Sequence, residues 1–93
     1  MDLEEVKQQI RSFVLANFYV ADPAQASDGR SLLEQGIIDS TGVLEIISFV
    51  EGTFGITVED QEMVPANLDS IDGIARFILR KQAAFPAPVL ASA

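Results

Sequence analysis

Two neighbouring polar residues, Asp39 and Ser40, lie where a turn-rich segment of the sequence gives way to an amphipathic one. A serine hydroxyl in this position can act as a nucleophile, receive a covalently attached group, or cap the first turn of a helix. The flanking Gly36 and Gly42 would leave room for the backbone of a partner protein on either side. Because Asp and Ser are both preferred N-cap residues, the pair by itself does not decide between these roles.

The composition limits the chemistry that Ser40 can do, because the 93-residue chain contains no histidine and no cysteine. A serine hydrolase would have to use Lys7 or Lys81 from another helix as its base, which we regard as unfavourable. Disulfides and thiolate metal sites are excluded, and the acidic residues lack the spacing of a calcium loop. We therefore expect a protein that is not an enzyme and that has no metal site.

The formal net charge of −8 is concentrated in the middle of the chain. Ten acidic residues fall between positions 28 and 72, against the single basic residue Arg30. Such a segment favours basic protein partners and disfavours nucleic acid and anionic membranes. The acidic start of the sequence lacks the pattern of an export signal, and no apolar stretch approaches the roughly 20 residues that cross a bilayer. The sequence therefore predicts a cytoplasmic protein without a membrane segment.

The spacing of apolar residues predicts two long helices around this segment. The first runs from Leu3 to about Tyr19 and is followed by a loop over residues 20–39, in which the leucines and isoleucines at 32, 33, 37 and 38 contact the core. The second runs from Thr41 to Phe54, begins at a cap formed by Asp39 or Ser40, and stops at Gly55. The side chains expected on its buried face are Val43, Ile46, Ile47, Val50 and Phe54.

The second half of the chain predicts a short helical turn and one further long helix. The turn lies near residues 60–64 and is ended by Pro65, and the last helix runs from Ile71 to about Gln82 behind a cap at residues 67–70. Residues 83–93 are uncharged, contain two prolines and predict a flexible tail, in which Phe85 packs back on the core. We expect one domain over residues 1–82, an all-α four-helix bundle of three long helices and one short one.

Over residues 3–82 the sequence resembles the acyl and peptidyl carrier proteins. The matching segments are Asp39-Ser40, the Leu32-Leu33-Glu34-Gln35-Gly36 run before them, Phe54-Gly55-Ile56, and the run from Pro65 to Ile71. The resemblance implies a carrier-type bundle with a long loop between helices 1 and 2. It also implies a 4'-phosphopantetheine arm, taken from coenzyme A and attached to Ser40, with Asp39 contacting the transferase or its metal-bound cofactor.

The residue after the serine departs from the usual pattern of this family. Carriers of fatty-acid and polyketide systems usually have leucine there, whereas this chain has Thr41. The spacing Gly-x-x-Asp-Ser-x-Gly is more similar to free-standing carriers that a dedicated adenylating ligase loads, such as D-alanyl, prolyl and some starter-unit acyl carriers. The resemblance thus implies a thioester-bound acyl or aminoacyl cargo for fatty acid, polyketide or nonribosomal peptide biosynthesis.

The resemblance also assigns partner binding to the second helix. The residues it implies for this role are Thr41, Leu44, Glu45, Ser48 and Glu51. The implied partners are a phosphopantetheinyl transferase, an adenylating ligase or acyltransferase, and downstream biosynthetic enzymes with basic patches, which meet a monomeric carrier. An alternative from another class remains open: an unmodified acidic helical adaptor that binds a basic protein, with Asp39 and Ser40 serving only as caps.

Overall fold

The computed structural model describes residues 2–22 and 28–84 and is all-α within those ranges, with no β-strand. The helices of this part of the chain are α1 (Leu3–Asn17), α2 (Ser40–Phe54), α3 (Pro65–Leu68) and α4 (Ile71–Ala84), with a short 3-10 helix at Asp60–Glu62. The predicted all-α class is therefore confirmed. None of the described helices is both long and apolar enough to cross a lipid bilayer.

Helix α1 begins at a capping box formed by Asp2 and Glu5. The Glu5 N–H donates to Asp2 Oδ1 at 2.9 Å, and the Asp2 N–H donates to Glu5 Oε1 at 3.0 Å. The helix buries Val6, Ile10 and Val14 at its core face, as its periodicity predicts. It ends at Asn17 and not at Tyr19 as predicted from sequence, because the backbone of residue 18 is already extended.

Helix α2 matches the predicted second helix, starting one residue earlier, at Ser40. Of the side chains expected on its buried face, all are buried except Val43, which is half-buried. The helix ends where Gly55 adopts the left-handed conformation at φ 69°, which a residue without Cβ adopts at little cost. The predicted glycine stop is confirmed.

The short helical region differs from its prediction. The 3-10 helix covers only residues 60–62, and Pro65 begins helix α3 instead of ending the preceding turn. A proline suits the first helical position because the N–H that it lacks would have no intrahelical acceptor there. The prediction treated Pro65 only as a helix breaker, and that assignment was wrong.

Helix α4 begins at the predicted cap, because the hydroxyl of Ser70 accepts the N–H of Gly73 at 2.9 Å. A Cβ on Gly73 would lie 2.8 Å from the backbone oxygen of Ala66, so this glycine allows α3 to approach α4 closely. The helix continues to Ala84, two residues beyond the predicted end at Gln82. The remaining tail, residues 85–93 with Phe85, lies outside the described residues.

The core forms where α1, α2 and α4 meet. Its fully buried side chains include Val6, Ile10, Val14, Leu32, Ile46, Val50, Ile71, Ile74 and Ile78. A second cluster of Ile47, Val58, Leu68 and Phe77 fixes α3 and the preceding segment to α2 and α4. These two clusters hold α2 along most of its length, so its first turn is supported by a packed core.

The segment before α2 reaches the core through Leu32, Ile37 and Ile38, all of which are buried as predicted. Leu33 was expected to do the same, but its side chain is 40% exposed. The difference arises because residues 32–36 form a turn, which sends successive side chains in different directions. The long loop as a whole stays a prediction, since residues 23–27 are not described.

An ion-pair network fastens the start of this segment to α1 and α4. The buried Lys7 ammonium lies 3.1 Å from Asp28 and 3.4 Å from Asp72. Asp28 also pairs with Arg11, and its backbone oxygen accepts the N–H of Asp72 at 2.8 Å. Hydrogen bonds from Arg76 and Lys7 lower the pKa of Asp72 below its ordinary value. These contacts join residues far apart in sequence.

Candidate functional site: the first turn of α2

Ser40 is the first residue of α2, and its side chain is exposed. No hydrogen bond within the described ranges uses its hydroxyl. The hydroxyl therefore stands at the rim of the bundle on a residue whose backbone is fixed by a helix. This placement gives a second protein access to the oxygen, as required of an attachment point.

Asp39, and not Ser40, is the N-cap of α2. Its Oδ1 accepts the N–H of Gly42 at 2.9 Å, and its backbone oxygen accepts the N–H of Val43 at 3.0 Å. The sequence left the cap between these two neighbours, and the structure assigns it to the aspartate. Since Asp39 supplies the side-chain cap, the serine hydroxyl is not needed for that bond.

Gly42 serves the packing of the site. It is buried, and a Cβ at this position would lie 3.0 Å from the Cβ of Ile38 and 3.1 Å from the ring of Phe18. The expectation that it leaves room for a partner's backbone is wrong, because the space beside it is filled from within the chain. Gly36 is exposed, and its positive φ of 73° explains a glycine in that turn.

Four of the five expected partner-binding side chains lie along an open groove between α1 and α2. The groove has a volume of about 530 Å³, and its lining consists of Phe13, Asn17, Thr41, Leu44, Glu45, Ser48 and Phe49. Phe13 and Phe49 stack with their ring centroids 4.1 Å apart. Leu44 is 60% exposed and adds an apolar side chain to the groove beside the two rings. We call this the α1–α2 groove.

Sequence reasoning did not predict that α1 contributes to this groove. Neither Phe13 nor Asn17 is among the residues that the sequence assigns to partner binding, and Phe13 also packs against the core. Sequence spacing shows which residues share a face of one helix but not which faces of two helices adjoin. The available signal was that Phe13 and Phe49 both lie beside, and not at the centre of, the buried faces of their helices.

Glu51 differs from the other expected partner-binding residues because its carboxylate is used within the chain. Its Oε2 accepts the N–H of Val58 at 2.9 Å, which joins α2 to the segment that follows it. The side chain is half-buried and does not line the α1–α2 groove. Glu45 is therefore the carboxylate that the groove presents.

Within residues 2–22 and 28–84, no basic side chain lines the groove. Lys7 and Arg11 belong to the network at Asp28, and Lys81 lies 2.9 Å from Glu62 at the far end of the bundle. The pKa of Glu62 is lowered by a hydrogen bond from the Glu59 backbone and then by Lys81. Among the described residues no basic side chain lies beside Glu45 in the groove, so a partner could supply one.

Among the described residues there is no group of three or more metal-ligating side chains that could hold a metal ion. The chain matches no protein-family model and no curated protein. The sequence pattern and the geometry at Ser40 therefore remain as the indications of function.

Proposed function

We propose that this chain is a carrier protein that holds an acyl or aminoacyl group as a thioester on a 4'-phosphopantetheine arm attached to Ser40. The proposal rests on the different roles of Asp39 and Ser40 at the start of α2. Asp39 caps the helix, while the neighbouring Ser40 hydroxyl is exposed and makes no described hydrogen bond. A serine retained only for helix capping would be expected at the N-cap position itself.

The helix terminus also suits the charge of the attached group. A phosphodiester on Ser40 would lie near the unpaired N–H groups of the first turn and the positive end of the helix dipole. On a surface such an interaction contributes about 0.3 to 1 kcal/mol. The geometry thus favours a phosphate at this position, as the resemblance to phosphopantetheine carriers implies.

The proposed attachment step is carried out by a phosphopantetheinyl transferase. The Ser40 oxygen forms a bond to the phosphorus that bears pantetheine, the bond from that phosphorus to the nucleotide part of coenzyme A breaks, and the hydroxyl proton passes to the transferase or to solvent. This chain supplies no imidazole base, since it lacks histidine, and Lys7 and Lys81 are paired with carboxylates elsewhere. The thioester chemistry belongs to the arm, while the chain binds and orients it.

Partner enzymes would meet the carrier at the α1–α2 groove, close to Ser40. The proposed partners are the transferase, an adenylating ligase or acyltransferase that loads the arm, and downstream enzymes with basic patches. Contacts of this transient kind bury less than about 1,200 Å² and use charge mainly to speed encounter. Glu45 would attract a basic side chain of the partner, and Leu44 would contact an apolar one.

The cargo follows from the resemblance more than from the structure. Thr41 is exposed in the first turn, where carriers of fatty-acid systems usually have leucine. We propose loading by a dedicated ligase, as in the free-standing D-alanyl, prolyl and starter-unit carriers that the sequence resembles. Loading assays with candidate adenylating ligases and their acids would identify the cargo.

The proposal is tested by incubating the chain with coenzyme A, Mg²⁺ and a broad-specificity phosphopantetheinyl transferase and measuring its intact mass. We expect a gain of one phosphopantetheinyl unit in the native chain and in Ser12→Ala, which removes an exposed serine of α1. Ser40→Ala should stay folded and gain nothing. An adaptor that works without modification would gain no mass and would keep its binding in Ser40→Ala.

A further inference from the structure

One residue at the junction of α3 and α4, Asp69, fastens the turn that leads to Ser40. Its Oδ1 accepts the N–H of Leu33 at 2.8 Å, and its Oδ2 accepts the hydroxyl of Ser31. Its backbone oxygen accepts the N–H of Leu32 at 2.7 Å. Consecutive residues of the turn thus bind a single residue far along the chain. We call these contacts the Asp69 latch.

The latch is connected to the attachment site by backbone hydrogen bonds. The oxygen of Leu32 accepts the N–H groups of Ile37 at 3.0 Å and Ile38 at 3.4 Å. The side chain of Ile38 lies against Gly42 in the first turn of α2. Because residues 37 and 38 directly precede the cap, their position determines how the chain enters α2 and where the Ser40 side chain is presented.

The carboxylate of Asp69 has no part in forming its own neighbouring helix. The cap of α4 is Ser70, whose hydroxyl accepts the N–H of Gly73. Within the described residues the hydrogen bonds of the Asp69 side chain go only to Ser31 and Leu33. An acid placed solely for helix capping would bond to the first turn of α4, so its function lies in the turn before Ser40.

We propose that Asp69 is a positioning residue for modification at Ser40, an inference that rests on the proposed carrier function. The latch holds residues 31–38 against the α3–α4 junction, so that the hydroxyl leaves the bundle from a fixed point. Transfer reactions are sensitive to such placement, since a displacement on the order of 1 Å can lower a rate by about 100-fold. Most of the partner-binding side chains of the α1–α2 groove, Leu44, Glu45 and Ser48, lie beyond the first turn of α2 that the latch adjoins.

The kinetic test compares Asp69→Ala, Asp69→Asn and the control Asp60→Asn, which alters an exposed acid on the 3-10 helix. The probe is transfer from coenzyme A by a broad-specificity phosphopantetheinyl transferase. We expect kcat for Asp69→Ala to fall by about tenfold or more while KM for the chain stays unchanged, because placement is lost and docking is kept. The kcat of Asp69→Asn should lie between those of the native chain and Asp69→Ala, since the amide oxygen of asparagine can still accept the N–H of Leu33. The control should react at the native rate.

Amide hydrogen exchange gives a second readout, independent of any transferase. In Asp69→Ala the amides of Ile37 and Ile38 should exchange at least about fivefold faster, because their segment opens locally. The core amides of Ile10 and Val14 in α1 should keep their native protection. A general loss of stability would instead speed exchange at all four amides and leave kcat unchanged below the unfolding temperature.

The two proposals fail in distinguishable ways. If the native chain gains no arm, the carrier function is refuted. If the native chain is modified and Asp69→Ala reacts with native kcat, or Ile37 and Ile38 keep their protection, the positioning role is refuted alone. Should Asp69→Ala fail to fold, Ser31→Ala removes one latch contact from the turn, and it must show both the lower kcat and the faster exchange.

Discussion

The two sides of this bundle use charge in opposite ways. Between α1 and α4, the buried Lys7 joins Asp28 and Asp72, and Arg11 and Arg76 pair with the same two acids. Along the α1–α2 groove, the acidic side chain of Glu45 faces solvent, and no basic residue from the described part of the chain lines the surface. The acids between α1 and α4 are neutralised by cations of the same chain, whereas Glu45 in the groove is available to attract a second molecule.

In this acidic chain the few cations stabilise the fold, and an acid that they do not pair with is available for binding. Its described lysines, Lys7 and Lys81, are both paired with carboxylates that hold distant segments together. Partly buried pairs of this kind contribute to stability, whereas an exposed acid contributes little and instead attracts basic partners. Variants on the two sides should therefore affect different measurements.

The largest effect on stability is expected from Lys7→Ala. The change leaves Asp28 and Asp72 without their shared cation and should lower the free energy of unfolding by about 1 to 3 kcal/mol, because both acids are only partly buried. Urea unfolding gives the value. Lys7→Met keeps the apolar stem and separates charge from packing. Glu45→Ala should change stability by less than about 0.5 kcal/mol. Equal losses in Lys7→Ala and Glu45→Ala would contradict the contrast between the two sides.

Asp39→Ala is expected to have the next largest effect on stability. Loss of the hydrogen bond to the Gly42 N–H should lower the free energy of unfolding by about 0.5 to 2 kcal/mol, the usual range for an N-cap. Ser40→Ala is the matched control and should change stability by less than about 0.5 kcal/mol. Thermal or urea unfolding of both variants gives the comparison. A larger loss in Ser40→Ala would show that the serine is the structural residue.

The pH dependence of stability sharpens the same contrast. Folding lowers the pKa of Glu62 below its ordinary value of 4.5 and that of Asp72 below 3.8. A carboxyl group whose pKa is lower in the folded state stabilises fully above its unfolded pKa and loses that contribution as the pH falls through the folded one. Stability should therefore decline as the pH is lowered from about 4.5, and less steeply in Glu62→Gln. The free energy of unfolding should be measured from about pH 6 to about pH 3 for the native chain and for Glu62→Gln. An equal dependence on pH in the two chains would refute the contribution of Glu62.

The smallest effect on stability is expected from Leu44→Ala, because the side chain is 60% exposed. Its free energy of unfolding should change by less than about 0.5 kcal/mol, while KM of the chain for the transferase rises because an apolar contact is lost. Leu15→Ala is the matched control, since Leu15 is a 42% exposed leucine on α1 outside the groove. Equal KM values for the two variants would argue against docking at the groove.

Much of the fold could be predicted from the sequence because its helices are strongly periodic and clearly punctuated. The apolar spacing of α1 and α2, the cap at Ser70 and the stop at Gly55 are local signals, and each appears in the structure. The Asp-Ser pair could be located for the same reason. Either residue could cap the helix, and the choice depends on which of the two has the extended backbone of an N-cap. The sequence alone does not show this, because both residue types are suited to the position.

The features that could not be predicted depend on which segments meet in space. The network around Lys7 joins α1 to residues 28 and 72, and Asp69 reaches back to Ser31, so neither leaves a local pattern. The amphipathic pattern of α1 puts Lys7 on the polar side of the helix, but the residue is buried because acids from two other segments contact its ammonium group. The expectation that Gly42 leaves room for a partner was wrong for the same reason, because Phe18 and Ile38 fill the space beside it.

The most direct test of the central claim is peptide-level mass spectrometry of the chain after incubation with coenzyme A and a broad-specificity phosphopantetheinyl transferase. The peptide containing Ser40 should carry one phosphopantetheinyl group, and fragmentation should place it on that serine. A native chain that stays unmodified, or that carries the group on any other residue, would contradict the account.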